Sequence, residues 1–318
     1  MKIPQLLETA IENEIKNIKI TELKKYAQDL SNKYMKEERT GKSLLSKEIE
    51  ALAYSIMRMP ATFGAITTAL KYALKLVPDI EINSVLDIGA GTGTAVWAIN
   101  EFLNPNKTTC IEREQAMRAV GGKLLKYNNE IKNVEWIDAD ITNCEFPKKT
   151  DLIIASYMIN ELKPEERERL IHKLLKIESK LILIIEPGTP EGFKNIKNIQ
   201  KQVIDEGAYI LAPCTAQTIC PLPEDDWCNT TVRIERTKTH KLLKDGDAPY
   251  EDEKFSYIAI TKGKYKTENC RILRHPIIEK GKVTLKICDN GKIEQKIITK
   301  KDGEIFKQAK KKKCGDGF

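Results

Sequence analysis

The chain has 318 residues, of which 41% are hydrophobic and 31% charged, and its formal net charge is +7. That length suits one large domain, or one domain with extensions. No run of about 18 apolar residues occurs, so the sequence predicts no membrane span. The first residues mix Lys and Glu along a helical apolar period, unlike a secretory signal or a transit peptide. We therefore expect a cytoplasmic protein that does not contact a membrane.

Lysines cluster toward the C-terminus. Positions 310–313 are all Lys, and Lys292, Lys296, Lys300 and Lys301 precede them. Each lysine that neutralises a phosphate releases a counterion, so such a cluster suits a nucleic acid backbone. A solvated, lysine-rich surface explains the same pattern equally well, and charge alone leaves both interpretations open.

Apolar periodicity predicts helices over the first 77 residues and a change of structure after them. Apolar residues recur three and four positions apart at Leu7, Ile11, Ile15 and Ile18, and again at Leu45, Ile49, Leu52 and Ile56. From residue 82, short apolar runs alternate with longer amphipathic stretches. These runs are SVLDIG, TTCIE, VEWIDAD, DLIIASY and LILIIEPG. This alternation predicts a parallel sheet that is covered on both faces.

The pattern changes again after residue 207. The Pro- and Cys-rich residues 211–229 have no regular period, which indicates a loop. Strand-like runs follow at residues 231–236, 255–261, 282–287 and 292–299. Between the last two runs, the sequence Asp289-Asn290-Gly291 predicts a hairpin turn.

A glycine-rich turn follows the first predicted strand. Residues 85–94 are VLDIGAGTGT, in which Gly89, Ala90, Gly91 and Gly93 form the turn and Asp87 precedes it. Glycines let the backbone pass close to a ligand. The spacing differs from the G-x-G-x-x-G motif that binds a pyrophosphate. A carboxylate at position 87 suits the cationic amino-acid end of S-adenosylmethionine better than it suits a pyrophosphate.

Two further acids follow the next two predicted strands. Glu112 ends the second strand, where a carboxylate accepts hydrogen bonds from both ribose hydroxyls, and Asp140 follows the third, near an adenine amino group. Together with the glycine turn they predict S-adenosylmethionine binding. A domain of the same class that binds another nucleotide, or none, is the alternative.

The segment after the fourth predicted strand contains the candidate catalytic residues. Tyr157 and Glu161 are candidates for orienting an acceptor, although structural roles explain them equally well. The Asn-Pro-Pro-aromatic motif of amino-methylating enzymes is absent, and so is the Pro-Cys pair of a cytosine-C5 mechanism. The sequence therefore leaves open a protein that keeps the fold without the chemistry.

Three cysteines of the predicted loop, Cys214, Cys220 and Cys228, indicate a metal site. Eight cysteines in a chain without an export signal argue against disulfides, since cytosolic thiols stay reduced. Thiolates in a surface loop suit zinc or an iron–sulfur cluster, and the wide spacing slightly favours a cluster. The candidates for a fourth ligand are Cys270, Cys288, Cys314, His240 and His275. Cys110 and Cys144 are predicted to be buried small hydrophobic residues.

A set of short motifs is spread over the chain from Arg58 onward: RMPAT at 58–62, residues 87–93, Tyr157 with Asn160-Glu161-Leu162, EPGT at 186–189, APC at 212–214, Cys220-Pro221, DWC at 226–228, DEKFSY at 252–257, residues 271–276, GKV at 281–283 with Cys288, and Gly315-Asp316. In these motifs the chain resembles the methyltransferase-like family of small-ribosomal-subunit proteins. The resemblance implies a [4Fe-4S] cluster on Cys214, Cys220, Cys228 and Cys288, with zinc as the alternative. It also implies action on small-subunit ribosomal RNA, by methylation or in assembly and translation.

These observations define the expected fold class and domains. We expect an α/β protein with the class I S-adenosylmethionine-dependent methyltransferase (Rossmann-like) fold, an N-terminal helical region, a cysteine-rich metal-binding insert and a C-terminal β extension. The expected boundaries are 1–78 for the helical region, 79–207 for the S-adenosylmethionine-binding core, 208–250 for the iron–sulfur insert and 251–318 for the remaining core strands and basic extension. We expect a monomer that partners the small ribosomal subunit, and the alternative is a non-catalytic RNA-binding assembly factor of the same fold.

Overall fold

The computed structural model describes residues 1–36, 47–244 and 246–318. The predicted N-terminal helices are confirmed as α1 (Gln5–Ile15), α2 (Ile20–Lys36) and α3 (Glu48–Leu76). The predicted apolar positions are buried at Leu7, Ile11, Leu52 and Ile56 and partly buried at Ile15, Ile18 and Ile49, whereas Leu45 lies outside the described residues. The long helix α3 packs along the main sheet and against the helices that follow it.

The five apolar runs form the parallel part of the main sheet. Its strands are β1 (Ser84–Ile88), β2 (Lys107–Ile111), β3 (Val134–Ile137), β4 (Leu152–Ser156) and β5 (Leu181–Pro187). Four helices alternate with them: α4 (Thr94–Asn100), α5 (Gln115–Leu125), α6 (Pro164–Lys176) and α7 (Pro190–Asp205). Apolar clusters lie on the two faces of these strands, as the continuous apolar runs predict.

The complete main sheet is mixed, so the expectation of a parallel sheet holds for β1–β5 alone. Its order is β3-β2-β1-β4-β5-β8-β6, with β7 also paired to β8. The added strands are β6 (Tyr209–Ala212), β7 (Thr230–Glu235) and β8 (Tyr250–Thr261), and β8 runs antiparallel to β5, β6 and β7. Residues 236–249, which contain α8 (Lys238–Leu243), connect β7 to β8.

A second sheet follows β8. It contains β9 (Cys270–Ile272), β10 (Ile277–Glu279), β11 (Lys282–Asp289) and β12 (Lys292–Thr299), and α9 (Glu304–Ala309) packs on it. The predicted hairpin is confirmed, because β11 pairs with β12 around Asn290 and Gly291, which have φ values of 44° and 78°. Residues 213–229 form neither helix nor strand, as predicted, but Leu211 and Ala212 of the predicted loop belong to β6.

Across the described ranges, we find no helix with the length and apolar character needed to cross a bilayer.

Candidate functional site

The glycine turn after β1 has the conformation that its sequence requires. Gly89, Gly91 and Gly93 have φ values of 66°, 56° and 77°, a left-handed region that other residues rarely adopt. The turn is fixed to the neighbouring strand, because the backbone nitrogen of Ala90 donates a hydrogen bond of 3.0 Å to the carbonyl of Ile111. The backbone of the turn is therefore held rigidly beside the end of β2.

Glu112, directly after β2, joins this turn to the segment that follows it. Its carboxylate accepts hydrogen bonds from the backbone nitrogens of Gly91, at 2.9 Å, and Glu114, at 2.8 Å. Arg118 donates to the Glu112 carbonyl and forms a bidentate ion pair with Asp138. Burial raises the pKa of Glu112, and these backbone hydrogen bonds oppose the rise.

A cavity of about 290 Å³ opens beside the turn, close to the smallest volumes typical of small-molecule sites. Six of the predicted site residues line it, namely Gly89, Gly91, Glu112, Asp140, Tyr157 and Glu161. Most of the charged residues that line it are acidic. Glu114 and Glu166 add two further carboxylates, whereas Arg113 and Lys163 are basic. The described residues that line the cavity do not include Asp87, Ala90 or Gly93.

Asp87 is buried within β1, and its side chain is 1% exposed. Neither of its carboxylate oxygens has a hydrogen-bond partner among the described residues. Burial, with a contribution from the charge of Glu112, raises the pKa of Asp87 to about 7. An unpartnered buried carboxylate is unfavourable, so this position favours a bound cation or a proton.

Asp140 follows β3 and lines the same cavity. One carboxylate oxygen accepts hydrogen bonds from the backbone nitrogen and the hydroxyl of Thr142, at 2.9 and 2.7 Å, and the other is 3.7 Å from Arg113. Partial burial opposes ionisation of Asp140, but the hydrogen bonds from Thr142 and the charge of Arg113 outweigh it and lower the pKa. Asp140 is therefore an ionised acceptor at neutral pH.

Tyr157 directly follows β4 and has a φ of 58°, an uncommon backbone conformation for a residue with a side chain. Its hydroxyl donates to Glu253 at 2.8 Å, and the Arg58 guanidinium lies 5.8 Å from its ring centroid and 3.3 Å from Glu253. Burial and the charge of Glu253 raise the pKa of Tyr157 well above its usual value. Tyr157 therefore stays protonated and cannot act as a general base at neutral pH.

The structure adds one cavity residue, and two residues near it, that were not among the predicted site residues. Tyr54 of α3 lines the cavity, and Arg58, one turn further along α3, reaches the Tyr157–Glu253 pair. Glu186 at the end of β5 is fully buried, and burial raises its pKa to about 7 although Asn195 donates to it at 3.1 Å. The apolar period of the α3 sequence indicates that this helix is buried on one side, but it does not indicate which strand the helix contacts.

A second cavity, of about 50 Å³, lies beside the loop of residues 213–229. Cys214, Cys220, Cys228 and Cys288 all line it, and Cys270 and Cys314 are outside the described lining residues. Burial, followed by the charges of the Cys220 and Cys228 thiols, raises the pKa of Cys214, and burial raises the pKa of Cys220. Thiols that repel one another when ionised are stabilised as thiolates by a bound metal cation.

Polar contacts fix the loop on both sides of this cavity. Gln200 of α7 donates to the sulfur of Cys214 at 3.5 Å and accepts from the backbone nitrogen of Cys220 at 3.1 Å. On the other side, the hydroxyl of Thr215 lies 3.4 Å from the sulfur of Cys288 and accepts from the nitrogen of Gly291 at 3.1 Å. The loop is therefore hydrogen-bonded both to α7 and to the second sheet.

The four thiols that line this cavity are soft donors, a type of ligand that suits a zinc ion or an iron–sulfur cluster. Within residues 1–36, 47–244 and 246–318, no three His, Cys, Asp or Glu side chains are close enough to hold a single metal ion. A tetrahedral zinc site would need its sulfurs about 3.8 Å apart. An iron–sulfur cluster accepts wider sulfur spacing because each thiolate binds a different iron atom.

The strand order, the glycine turn and the cavity beside it define an α/β protein with the class I S-adenosylmethionine methyltransferase, Rossmann-like fold. The sequence matches the family described as "Mitochondrial small ribosomal subunit Rsm22" over residues 48–318, and the chain belongs to this family. The resemblance seen in the sequence is thereby confirmed.

Curated relatives match only in part. The human "Ribosome assembly protein METTL17, mitochondrial" is 21% identical over 229 residues, which cover 67% of this chain and 49% of that protein. The carboxy-S-adenosyl-L-methionine synthase of Helicobacter hepaticus is 27% identical over 143 residues, 44% of this chain and 58% of that protein. The chain thus spans about half the length of these curated relatives.

Solved structures match this chain at low identity and with TM-scores below 0.5. The plantazolicin methyltransferase BpumL in complex with SAH has a TM-score of 0.45 and 15% identity, with 80% of this chain and 99% of that chain covered. A SAM-dependent methyltransferase from Aquifex aeolicus has a TM-score of 0.42 and 14% identity, with coverages of 65% and 95%.

Proposed function

We propose that this chain binds S-adenosylmethionine and a [4Fe-4S] cluster and acts on small-subunit ribosomal RNA. The observation that supports this most is the unpartnered carboxylate of Asp87, two residues before a glycine turn whose Gly89 and Gly91 line an acidic cavity. S-adenosylmethionine has a sulfonium and an ammonium, so an acidic wall complements its charge. In this arrangement Asp87 accepts from the ammonium, Glu112 from the ribose hydroxyls and Asp140 from the adenine amino group.

The cysteine cavity supports the second cofactor. Cys214, Cys220, Cys228 and Cys288 are the proposed ligands, and they come from a loop and from β11. Bound there, a cluster would hold the four thiolates and join the loop to the second sheet. Phe193, Leu222 and Ile293 also line this cavity and would keep it dry.

Family membership and surface charge support the ribosomal target. The human relative is named as a ribosome assembly protein. In this chain Lys310, Lys311 and Lys313 are exposed at the end of α9, whereas Lys312 donates to the carbonyl of Gly317 at 2.6 Å. Exposed lysines of this kind fit a phosphate backbone.

A second candidate function is RNA binding in subunit assembly without methyl transfer. Tyr157 favours it, because its hydroxyl is engaged by Glu253 and cannot take a proton from an acceptor. The expected monomer, the cytoplasmic location and the domain boundaries at 78, 207 and 250 also remain predictions from sequence.

Mass spectrometry of ribosomal RNA from a deletion strain distinguishes the two candidates. If the chain is a methyltransferase, one methyl group disappears from small-subunit RNA, and wild-type protein restores it while Gly91→Arg does not. If it is a non-catalytic assembly factor, all methyl groups remain while mature small subunits decline. Unchanged methylation together with unchanged subunit levels would contradict the proposed function.

A further inference from the structure

Arg271 is a buried cation beside the four cysteines. It lies in β9, is 5% exposed and pairs directly across the strands with Cys288 of β11. Directly paired residues of neighbouring strands project to the same side of a sheet. Accordingly, Arg271 and Cys288 line the same cavity together with Cys214, Cys220 and Cys228.

The described residues provide Arg271 with hydrogen bonds but with no carboxylate ion pair. Its guanidinium donates to Thr230 at 2.6 Å and to Tyr257 at 3.4 Å, and it lies 5.4 Å from the Tyr257 ring centroid. Its Nε atom is buried, and no described residue accepts from it.

A buried guanidinium without an anion is unfavourable, because removing it from water is not compensated. Four thiolates around a core of charge about 2+ leave a net charge of about −2, whether the core is an oxidised [4Fe-4S] cluster or a zinc ion. The cavity would thus receive negative charge at the place where the chain buries an uncompensated positive charge.

We propose that Arg271 is the buried counter-ion of the four-cysteine site, an inference that rests on the proposed metal site at Cys214, Cys220, Cys228 and Cys288. The positive charge of Arg271 complements the net negative charge of the ligated metal group and thereby strengthens metal binding. It also favours reduction of a bound cluster, because an added electron increases the negative charge next to the guanidinium. Arg271 binds no metal itself and acts through the charge that it places beside the ligands.

Cobalt titration of the full-length apoprotein tests this role without activity. Co²⁺ bound by thiolates gives an intense charge-transfer absorption, so its affinity is measured directly. We expect Arg271→Met to weaken Co²⁺ binding roughly 10- to 100-fold, as the loss of residues that support metal ligands does. Arg271→Lys, which keeps the charge, should recover most of that loss. Arg233→Met, which removes an exposed arginine on β7, should leave the affinity unchanged.

Potentiometric titration of the anaerobically prepared, cluster-loaded protein with dithionite gives a second measurement. We expect the midpoint potential to fall in Arg271→Met and to stay near that of wild type in Arg271→Lys.

Unchanged affinity and unchanged potential in a folded Arg271→Met variant would overturn the counter-ion role and leave the metal site intact. If Arg271→Met fails to fold, the Arg271→Lys variant provides the test. A Co²⁺ affinity of Arg271→Lys as low as that of Cys288→Ser would show that the charge at position 271 is not the cause. If wild-type protein binds no Co²⁺ through its thiols, the metal site itself fails and the counter-ion fails with it.

Discussion

The carboxylate of Glu112 accepts a hydrogen bond of 2.9 Å from the backbone nitrogen of Gly91. This bond connects the acid at the end of β2 to the centre of the glycine turn, so two elements of the proposed nucleoside site move together. A rigid site loses little conformational freedom when a ligand binds. Substitutions in the turn should therefore affect ligand affinity with little effect on folding elsewhere.

The first prediction concerns S-adenosylmethionine binding. Asp87→Ala should weaken binding by about 1.5–3 kcal/mol, because it removes a charged acceptor of the ammonium. Gly91→Arg should abolish binding, since a side chain at a φ of 56° strains the turn and enters the cavity wall. Isothermal titration calorimetry measures both effects. As a control, Gly122→Ala in α5, where a Cβ meets no atom within 4 Å, should bind like wild type. Absence of heat with wild-type, cluster-loaded protein would exclude the cofactor.

The second prediction concerns pH. Burial raises the pKa of Asp87 from 3.8 to about 7, so the apoprotein holds a proton there below pH 7. The ammonium of S-adenosylmethionine needs the ionised carboxylate, and its affinity should therefore rise between pH 6 and pH 8 with release of one proton per site. Calorimetry in buffers of different ionisation enthalpy counts that proton. Affinity that does not change over this range would contradict the pairing of Asp87 with the ammonium.

The raised pKa also affects stability in the absence of ligand. A carboxyl with a higher pKa in the folded state stabilises the protein most below its unfolded pKa, and that contribution is lost as pH rises through 7. Asp87→Asn should remove this loss and make the apoprotein more stable at pH 8 than wild type. Glu186→Gln is the matched control, because burial also raises the pKa of Glu186 to about 7 and its ionisation also destabilises the folded state. This variant should likewise be more stable than wild type at pH 8, but it should keep the pH dependence of S-adenosylmethionine binding.

Much of the main sheet is predictable from sequence, and the reason is burial. Strands covered on both faces need continuous apolar residues, which is why β1 to β5 are recognised. In β8, only the buried residues 255–261 form such a run, whereas residues 250–254 alternate between exposed and partly buried positions and pair with β7. The first half of β8 and the short strands β9 and β10 have no comparable pattern and are missed, as is the four-residue strand β6.

The sites were predictable where local sequence defines them. The glycine turn, Glu112 and Asp140 each follow a recognisable strand, so parallel pairing brings them together. The relationship between Arg271 and Cys288 depends instead on the register of two antiparallel strands. An arginine between Cys270 and Ile272 in a short apolar run is the one local indication that a charge is buried there.

The third prediction concerns RNA. Replacing the lysines at positions 310–313 with Ala should reduce the slope of log affinity against log salt by roughly three, because three of the four are exposed. Filter binding to small-subunit RNA at several salt concentrations measures the slope. Lys173→Ala with Lys176→Ala, two exposed lysines of α6, is the control and should leave it unchanged. A slope that survives the C-terminal change would show that this run is merely solvated.

The last prediction concerns the cluster. Purified without oxygen, the protein should be brown and contain about four iron atoms per chain. Cys214→Ser, Cys220→Ser, Cys228→Ser and Cys288→Ser should each lose the colour and the iron, as measured by absorption and elemental analysis. Ser substitutions at Cys110, Cys144, Cys270 and Cys314 are matched controls and should retain both, although Cys314 donates to the carbonyls of Asn229 and Leu273 and its loss will reduce stability.

Loss of the cluster should also change how the loop is cleaved. Residues 213–229 have no regular structure, and the backbone hydrogen bonds of a sheet or helix do not hold them. Metal binding would offset the entropy of ordering this loop and join it to β11 through Cys288. Limited proteolysis of Cys288→Ser should therefore cut within the loop before it affects the sheet around Asp87. Stoichiometric zinc and no iron in anaerobically prepared wild-type protein would exclude the cluster, while the four-cysteine site would remain.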